Sequence, residues 1–245
     1  KPWVKFGIAP FGIWRPGHPA QIKGLDSYDA LFADSRKWLR EGWLDYLAPQ
    51  LYWGEEKRET SFSALLHWWA GENVRHRHLW PGLDLSRVGP NRAADEILRQ
   101  IQQTRQQSGA DGHILWSVRA LLDNRRGLSD LLTERIYDQP ALPPAYPWLD
   151  ARPPGRPQLT FSTGTSEELI LHWTAPGPEL VWLWLVQTRS GGVWKTDVLP
   201  GSQTGRIFLG QGKPEVIAVT ALDRCGIASA PTVFEQKKAP AAASP

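Results

Sequence analysis

Short strand-like segments alternate with helix-like segments over the first 138 residues, and this order constrains the fold more than any other feature of the chain. The strand-like segments cover residues 3–11, 46–51, 79–83 and 113–118. A parallel pair of strands needs a long crossover connection, which a helix usually supplies. The alternation therefore predicts parallel βα units with four strands in this α/β part of the chain.

The segments between these strands carry apolar side chains at helical spacing. The predicted helices cover residues 28–41, 62–69, 90–107 and 128–136. Ser61 is expected to cap the second helix, and Pro90 is expected in the first turn of the third. Gly42 and Gly109 follow the first and third helices, where a glycine commonly ends a helix.

From residue 139 onward the pattern changes to prolines and then to β-rich runs. The many prolines predict a linker without regular structure at residues 139–156. The β-rich runs that follow cover residues 158–162, 168–174, 181–188, 193–198, 205–209, 215–222 and 232–235. They predict an all-β sandwich at residues 157–236, followed by a disordered tail at residues 237–245.

Particular residues sharpen the prediction for this second domain. Trp173 lies in the second β-rich run, and residues 216–226 form the sixth run and its turn. Together they resemble a fibronectin type III domain, although the tyrosine usual near the start of the late strand is absent. Trp182 and Trp184 share one strand face and can be either core or surface residues. We expect the domain to position the protein or to dock a partner.

The composition excludes several classes of function. The net charge is +3, and the basic residues form only short, separate runs, which argues against a nucleic-acid partner. A single cysteine, Cys225, excludes an intrachain disulfide. His76 and His78 are spaced like metal ligands but have no further ligand beside them, so neither a metal nor a cofactor is predicted. No apolar run approaches the ~20 residues of a transmembrane helix.

Polar side chains collect at the carboxyl ends of the predicted strands. In parallel βα folds these ends share one rim, where binding and catalytic residues lie. Alternation along the second strand turns Leu47 and Leu51 toward the helices, and Gln50 and Tyr52 toward the interior. The same alternation turns Asp84 inward on the third strand. Gln50, Tyr52 and Asp84 are thus predicted to converge on one cleft.

Aromatic side chains near the strand ends predict a wall that stacks against sugar rings, because Trp and Tyr offer large amphipathic faces. The predicted substrate-binding residues are Phe11, Trp14, Gln50, Tyr52, Trp53, Trp116 and Arg119. Arg119 follows the last strand, where it can contact substrate or close a salt bridge. The tryptophans assigned to core packing are Trp38, Trp43, Trp68, Trp69 and Trp80.

Two carboxylates are candidates for catalysis, and each has a structural alternative. Asp84 can orient a sugar hydroxyl or act as an acid or base, or it can simply cap the following loop. Glu55, beside Glu56 on a rim loop, can protonate a glycosidic oxygen, or it can be a solvated loop charge. Asp34 and Asp45 are interpreted as structural.

Three stretches of the chain follow one another within residues 6–53. They read Phe6-Gly-Ile-Ala-Pro-Phe-Gly-Ile-Trp-Arg15, Phe32-Ala-Asp-Ser-Arg-Lys-Trp-Leu-Arg-Glu-Gly-Trp43 and Asp45-Tyr-Leu-Ala-Pro-Gln-Leu-Tyr-Trp53. In this order they resemble the glycosyl-hydrolase-like family 10 of bacterial envelope proteins. The resemblance implies a (β/α)8 TIM barrel, of which residues 1–138 are the carboxyl-terminal half, and a glycoside hydrolase acting on a cell-wall glycan of the peptidoglycan type.

The resemblance also affects where catalysis is expected. The family's Asp-Asp-Tyr motif, at the end of the fourth barrel strand, would lie before Lys1. The chain has no Met, not even at position 1, and we expect it to begin within a longer polypeptide. The resemblance therefore implies that the principal catalytic carboxylate is absent from this chain and that the chain alone is inactive.

Different functions remain open at this point. The first is part of a glycoside hydrolase of the bacterial cell envelope, periplasmic, secreted or lipid-anchored through an upstream segment, with a polysaccharide as its partner. The second is a non-catalytic glycan-binding protein whose sandwich domain docks partners. A deacetylase or transferase is a third, and the lack of metal ligands counts against the deacetylase. Cleavage of wall glycan separates the first function from the second.

Overall fold

The computed structural model describes residues 1–89, 92–163, 168–177, 180–209 and 213–236. The chain forms two compact units. One unit is Val4–Asp138, and the other combines Lys1–Trp3 with the described residues from Gln139 onward. They are named here the βα unit and the sandwich unit.

The βα unit alternates short strands with helices. Its strands are β1 (Gly7–Ile8), β2 (Tyr46–Leu47), β3 (His78–Leu79), β4 (Gly82–Asp84) and β5 (Ile114–Trp116). Its helices are α1 (Ser27–Ala30), α2 (Ser35–Glu41), α3 (Phe62–Glu72), α4 (Ala94–Gln106), α5 (Val118–Leu122) and α6 (Leu128–Arg135). Short 3₁₀ turns lie at Arg58–Thr60, Leu85–Arg87 and Arg125–Gly127.

The strand pairs of the βα unit run parallel. β1 pairs with β2, β2 with β3, and β4 with β5. A parallel bridge between Gln50 and Gly82 joins the two groups of strands. β3 and β4 together cover the predicted third strand, which is interrupted at Trp80 and Pro81. The prediction of parallel βα units in this region is confirmed.

One face of these strands is buried beneath the helices. Leu47, Leu51, Leu79 and Leu83 are each 0% exposed and share one hydrophobic core with the apolar side chains of α3 and α4. Full burial of such a leucine contributes roughly 1.5–3 kcal/mol. Leu47 and Leu51 thus face the helices as predicted, and alternate residues face the opposite side.

The predicted helix at residues 28–41 is two helices. α1 ends at Ala30, and Phe32 then has a φ of 53° and a side chain that is 91% exposed. Asp34 begins the next helix, because its carboxylate accepts a hydrogen bond from the Lys37 N–H at 3.2 Å. The expectation that Asp34 lies mid-helix is therefore wrong, and its interpretation as a structural residue is confirmed. Gly42, with a φ of 70°, ends α2 as predicted.

The other helices agree closely with the sequence pattern. Ser61 caps α3, where its hydroxyl accepts a hydrogen bond from the Ala64 N–H at 3.3 Å. α3 extends three residues beyond the predicted end at Trp69, to Glu72. α6 ends at Arg135, one residue before the predicted end. Pro90, expected in the first turn of α4, lies outside the described residues.

The tryptophans assigned to the core differ in their exposure. Trp69 is 0% exposed, and its indole N–H donates to the Gly12 carbonyl at 2.8 Å. Trp38 and Trp68 pack partly against the same core. Trp43 is 60% exposed, with the Lys37 ammonium 5.7 Å from its ring. The core assignment of Trp43 is wrong because it follows the end of α2 at the surface.

The sandwich unit has the strands that its sequence predicts. They are β6 (Gln158–Thr163), β7 (Leu169–Thr174), β8 (Leu183–Ser190), β9 (Val193–Pro200), β10 (Gly205–Phe208), β11 (Val216–Leu222) and β12 (Thr232–Glu235). They form sheets in the orders β10-β7-β6 and β12-β11-β8-β9, and the pairs are antiparallel. This division into three and four strands confirms an all-β sandwich of the fibronectin type III kind.

The core of the sandwich lies between its two sheets. Trp173 on β7 and Trp184 on β8 are 0% and 2% exposed, and their rings meet edge to face at 6.3 Å. Val186, Ile217 and Val219 join them. Trp184 is thus a core residue, which resolves one of the open assignments.

Residues 139–157 contain no helix or strand, yet part of this segment is ordered against the sandwich unit to which it belongs. Tyr146 is 5% exposed, and its N–H donates to the Cys225 carbonyl at 2.8 Å. Gly226 has a φ of 76°, and a Cβ there would come within 3.2 Å of Pro144 and Ala145. The predicted tail at residues 237–245 lies outside the described residues.

Candidate functional site

The parallel register places side chains from successive strands in one row near their carboxyl ends. Phe11 lies opposite Gln50, Gln50 opposite Gly82, and Gly82 opposite Ile114. Two residues further along, Asp84 lies opposite Trp116. The carboxyl ends of parallel strands share one edge, so these residues form a common rim.

Gln50 occupies the centre of this row. Its side chain is half-buried, and its Nε2 donates to the Ala9 carbonyl at 2.9 Å. This bond fixes the amide plane and the orientation of Oε1. Among the described residues, no donor is bonded to Oε1, so this atom is available to accept a hydrogen bond from a hydroxyl group.

Tyr52 lies beside Gln50 and reaches toward Asp84. A Cβ on Gly82 would lie 3.1 Å from the Tyr52 ring, so glycine leaves room for the ring to cross this strand. Burial raises the pKa of the Tyr52 hydroxyl, and the nearby Asp84 carboxylate raises it further. Tyr52 therefore remains a neutral donor over the physiological pH range.

Phe11 and Trp53 form an aromatic pair at the end of the row that is nearest β1. Their rings meet edge to face with centroids 5.5 Å apart, and both pack partly against the hydrophobic core. The Trp53 carbonyl accepts a hydrogen bond from Gln100 of α4 at 2.8 Å. The pair can present ring edges and part of a face, and its predicted role in binding stays a prediction.

Trp14 does not lie in the predicted stacking wall. It is 8% exposed, and its ring stacks on Trp68 at 6.0 Å while its indole N–H donates to Asp34 at 3.2 Å. The Arg36 guanidinium lies 5.0 Å from the same ring. The proposal of an open stacking surface at Trp14 is wrong because the helix cap and neighbouring aromatic rings enclose it.

Asp84 is 4% exposed, and its carboxylate bonds to the 3₁₀ turn that follows it. The Ser86 N–H and hydroxyl donate to Oδ1 at 2.9 and 2.5 Å, and Arg87 Nε donates to Oδ2 at 3.0 Å. These are the contacts of a local cap. They describe the capping alternative, and a catalytic role for Asp84 stays a prediction.

Glu55 is likewise engaged with a helix terminus. Its carboxylate accepts hydrogen bonds from the Ser61 hydroxyl at 2.6 Å and from the Ser63 N–H at 2.8 Å, both at the start of α3. A carboxylate is favourable at this end of a helix. The sequence did not suggest this second cap, and the catalytic role of Glu55 has no contact to support it.

Trp116 and Arg119 lie at the end of the row. The Trp116 side chain is 58% exposed, which makes it the most open of the predicted binding rings. Arg119 Nε lies 2.9 Å from Asp123, four residues later in the chain. The salt-bridge alternative for Arg119 is thus present, while 74% of its side chain stays exposed.

Sequence reasoning missed Arg92, which connects the two central rim residues. Its Nη1 donates to the Asp84 carbonyl at 3.2 Å, and its Nη2 donates to the Tyr52 carbonyl at 3.1 Å. These bonds hold the ends of two neighbouring strands together. Nothing in the local pattern distinguishes this arginine from a solvated one, because its partners are distant backbone carbonyls.

The same face is filled by aromatic side chains toward the amino ends of the strands. Tyr46 stacks on Trp80 at 4.6 Å, and Trp80 stacks on His78 at 5.6 Å. A Cβ on Gly7 would lie 2.1 Å from the Tyr46 ring, so only glycine fits there. This stack occupies the face below the rim.

The described residues contain no group of three or more His, Cys, Asp or Glu arranged to hold a metal ion. His78 Nδ1 instead lies 3.1 Å from Asp111. Within the same residues, no helix has both the length and the apolar character needed to cross a membrane.

Parallel βα units with an amide and aromatic rings at the carboxyl rim define the class: a parallel βα fold, a class in which ligand sites usually lie at the strand ends. Residues 1–98 match the family model described as Glycosyl hydrolase-like 10. The resemblance seen in the sequence is confirmed for this segment. Gln50, Tyr52 and Asp84 lie inside the matched residues, whereas Trp116 and Arg119 lie beyond them.

Two relatives that the chain matches are both named glycosyl hydrolases. The chain is similar to Glycosyl hydrolase YngK of Bacillus subtilis (strain 168), with 38% identity over 175 residues that cover 66% of this chain and 34% of that protein. It is similar to Glycosyl hydrolase DigH of Escherichia coli (strain K12), with 40% identity over 95 residues that cover 36% and 21%. The chain thus spans about a third or less of the relatives it matches.

A solved fibronectin type III domain of the human collagen alpha-1(XX) chain is also similar, with 24% identity and a TM-score of 0.28. The match covers 37% of this chain and 92% of that domain. The sandwich assignment rests on the strand order described above.

Proposed function

We propose that this chain contributes the carboxyl-terminal half of a (β/α)8 glycoside hydrolase that acts on a polysaccharide of the bacterial cell envelope. The observation that carries the proposal is the shared parallel register of the strands that end at Gln50, Asp84 and Trp116. This register brings a free amide oxygen, a neutral phenol and an exposed indole to one rim. Such a set suits the hydroxyl groups and apolar faces of sugar rings.

The ends of the strand array support the half-barrel. β1 and β5 are the outermost strands in the described part of the βα unit. Val4 and Phe6, just before β1, are 61% and 58% exposed, and Ile114 in β5 is 37% exposed. An open, apolar sheet edge is unfavourable in water. In a closed barrel, further strands cover both edges.

The family resemblance supports a cell-wall glycan of the peptidoglycan type as the substrate and the cell envelope as the location. The relatives are named as glycosyl hydrolases. In this proposal the sandwich unit positions the rim or docks an envelope partner.

The chemistry of glycoside hydrolysis requires two carboxyl groups roughly 5–10 Å apart. Asp84 and Glu55 both hold local turns or helix ends through several hydrogen bonds. We therefore assign the principal acid and nucleophile or base to the complementary half of the barrel. In this half, Gln50 binds a sugar hydroxyl and Tyr52 and Trp116 orient the sugar ring.

One observation favours a second candidate function. Because both candidate carboxylates are engaged as caps, the rim of this unit is equipped to bind glycan but not to cleave it. A non-catalytic glycan-binding envelope protein would need no more than this rim.

Incubation of the complete gene product with purified wall glycan tests the proposal. We expect new reducing ends, and about tenfold lower kcat/KM for Gln50→Ala because one hydrogen bond to substrate is lost. Gln187→Ala in the sandwich unit is the control and should change kcat/KM less than twofold. Saturable binding without new reducing ends would establish the second candidate, and no binding would contradict both.

A further inference from the structure

Three arginines follow the ends of β4 and β5, the strands that carry Asp84 and Trp116. Arg87 lies in the 3₁₀ turn after β4, Arg119 lies in α5, and Arg125 lies in the 3₁₀ turn after α5. Their side chains are 57%, 74% and 36% exposed. A surface that only stacks against neutral sugars has no need of several guanidinium groups.

Hydrogen bonds connect these arginines into one cluster. Arg125 Nη1 donates to the Ser86 carbonyl at 3.1 Å, which joins the turn after α5 to the turn that carries Arg87. Arg125 also pairs with Asp123 at 3.4 Å, the same carboxylate that pairs with Arg119. The turn after β4 and the segment after β5 are therefore in direct contact.

The aspartates hold two of these guanidinium groups in a specific orientation. Arg87 bonds to Asp84 through Nε at 3.0 Å, and Arg119 bonds to Asp123 through Nε at 2.9 Å. In both arginines the terminal Nη groups donate to no acceptor among the described residues. A planar pair of Nη donors matches the two oxygens of a carboxylate, a geometry that lysine cannot offer.

The net charge of the arginine cluster also favours an anionic ligand. Among the described residues, the carboxylates that pair with Arg87, Arg119 and Arg125 are those of Asp84 and Asp123. Arg126, next in the chain, is exposed and adds another positive charge. The cluster thus attracts anions, and its exposed position makes the attraction sensitive to ionic strength.

We infer that Arg87 and Arg119 form a subsite for the carboxylate of an acidic sugar unit, while Trp116 stacks against its ring. Asp84 and Asp123 act as positioning residues, because they fix the guanidinium planes through Nε. The inference rests on the proposed glycan-binding rim and adds the residues that recognise the acidic unit of its substrate. It also gives Asp84 a role that its contacts support.

A matched pair of oligosaccharides tests this inference on the complete gene product. One probe is a tetrasaccharide of alternating N-acetylglucosamine and its 3-O-lactyl ether, which carries carboxylates. The other is the same tetrasaccharide with each carboxylate converted to a primary amide. Titration calorimetry at low salt is expected to show at least tenfold tighter binding of the carboxylate form.

Variants identify the residues responsible. Arg119→Gln should weaken binding of the carboxylate form about fivefold to tenfold and leave the amide form within twofold. Arg119→Lys should recover less than half of the lost discrimination, because it restores the charge but not the planar fork. Arg99→Gln is the control, since Arg99 is also exposed and paired with a carboxylate, on α4, and it should leave both affinities within twofold.

The outcomes separate this inference from the proposed function. Equal binding of both probes, or full recovery with Arg119→Lys, would overturn the carboxylate subsite while leaving glycan binding at the rim intact. No binding of either probe would overturn the proposed function and the subsite together. Arg119 is mostly exposed, so its variants are expected to fold, and an unchanged melting temperature verifies this.

Discussion

Alternate side chains of a strand face opposite sides. The two units differ in what covers these sides. In the sandwich unit, Trp173, Trp184 and Ile217 face a second sheet of the same unit, so the inward side of each sheet is covered. In the βα unit, Leu47 and Leu79 are covered by helices, but the opposite face carries Gln50, Tyr52 and Trp116. The first arrangement completes a core, and the second leaves polar and aromatic side chains at a rim, where we propose that a glycan binds.

The largest expected effect comes from removing a core tryptophan from one unit at a time. Trp173→Ala should destabilise the sandwich unit by about 3–5 kcal/mol, because it creates a cavity between the sheets. Trp69→Ala should destabilise the βα unit by a similar amount. Calorimetry of the full chain is expected to show that each variant shifts a different transition. Equal shifts of both transitions would contradict the division into two units.

A smaller effect depends on pH and involves His113 in the βα unit. Burial lowers the pKa of His113 to about 4, with a further contribution from Arg105, whereas the unfolded chain binds this proton near pH 6.5. The unfolded state therefore binds more protons between these values, and stability falls as the pH is lowered from 6.5 to 4. The loss is up to about 3 kcal/mol.

Denaturant unfolding of the βα unit at several pH values measures this loss. His113→Gln should remove most of the pH dependence, while His67→Gln, at an exposed position on α3, should retain it. A native chain whose βα unit is equally stable at pH 6.5 and pH 4 would contradict the assignment of a neutral, buried His113.

The next effect concerns the contact between α2 and α3. Burial would raise the pKa of Glu72, but hydrogen bonds from Arg36 and Arg40, each at 2.8 Å, lower it below its usual value. The stabilisation is present above pH 4.5 and is lost as the pH falls below it. Glu72→Gln should cost about 1.5–3 kcal/mol at pH 7.

An exposed ion pair in the same unit provides the control. Glu59, whose side chain is 51% exposed, pairs with Lys23, and Glu59→Gln should change stability by less than about 0.5 kcal/mol. If the difference between native and Glu72→Gln chains persisted unchanged at pH 3, the ion pair would not be its cause.

The sequence predicted the fold more fully than it predicted the site, for a physical reason. The strands β6 to β12 depend on local alternation and turns, and so their positions can be read from the chain. The roles of Trp14, Asp84 and Glu55 depend on what their side chains contact in the folded chain: Trp68 encloses the first, the turn at Ser86 binds the second, and the start of α3 binds the third. A carboxylate at a strand end has the same sequence signature whether it caps a turn or meets a substrate.

The most direct test of the account compares one exposed tryptophan from each unit. Trp116 and Trp194 are 58% and 49% exposed, in the βα unit and the sandwich unit respectively. Binding of a wall-derived oligosaccharide to the complete gene product should weaken about fivefold to tenfold in Trp116→Ala, in line with ~1 kcal/mol for one ring contact. Trp194→Ala should bind within twofold of the native protein. Loss of binding in Trp194→Ala with full binding in Trp116→Ala would contradict the assignment of the glycan site to the rim of the βα unit.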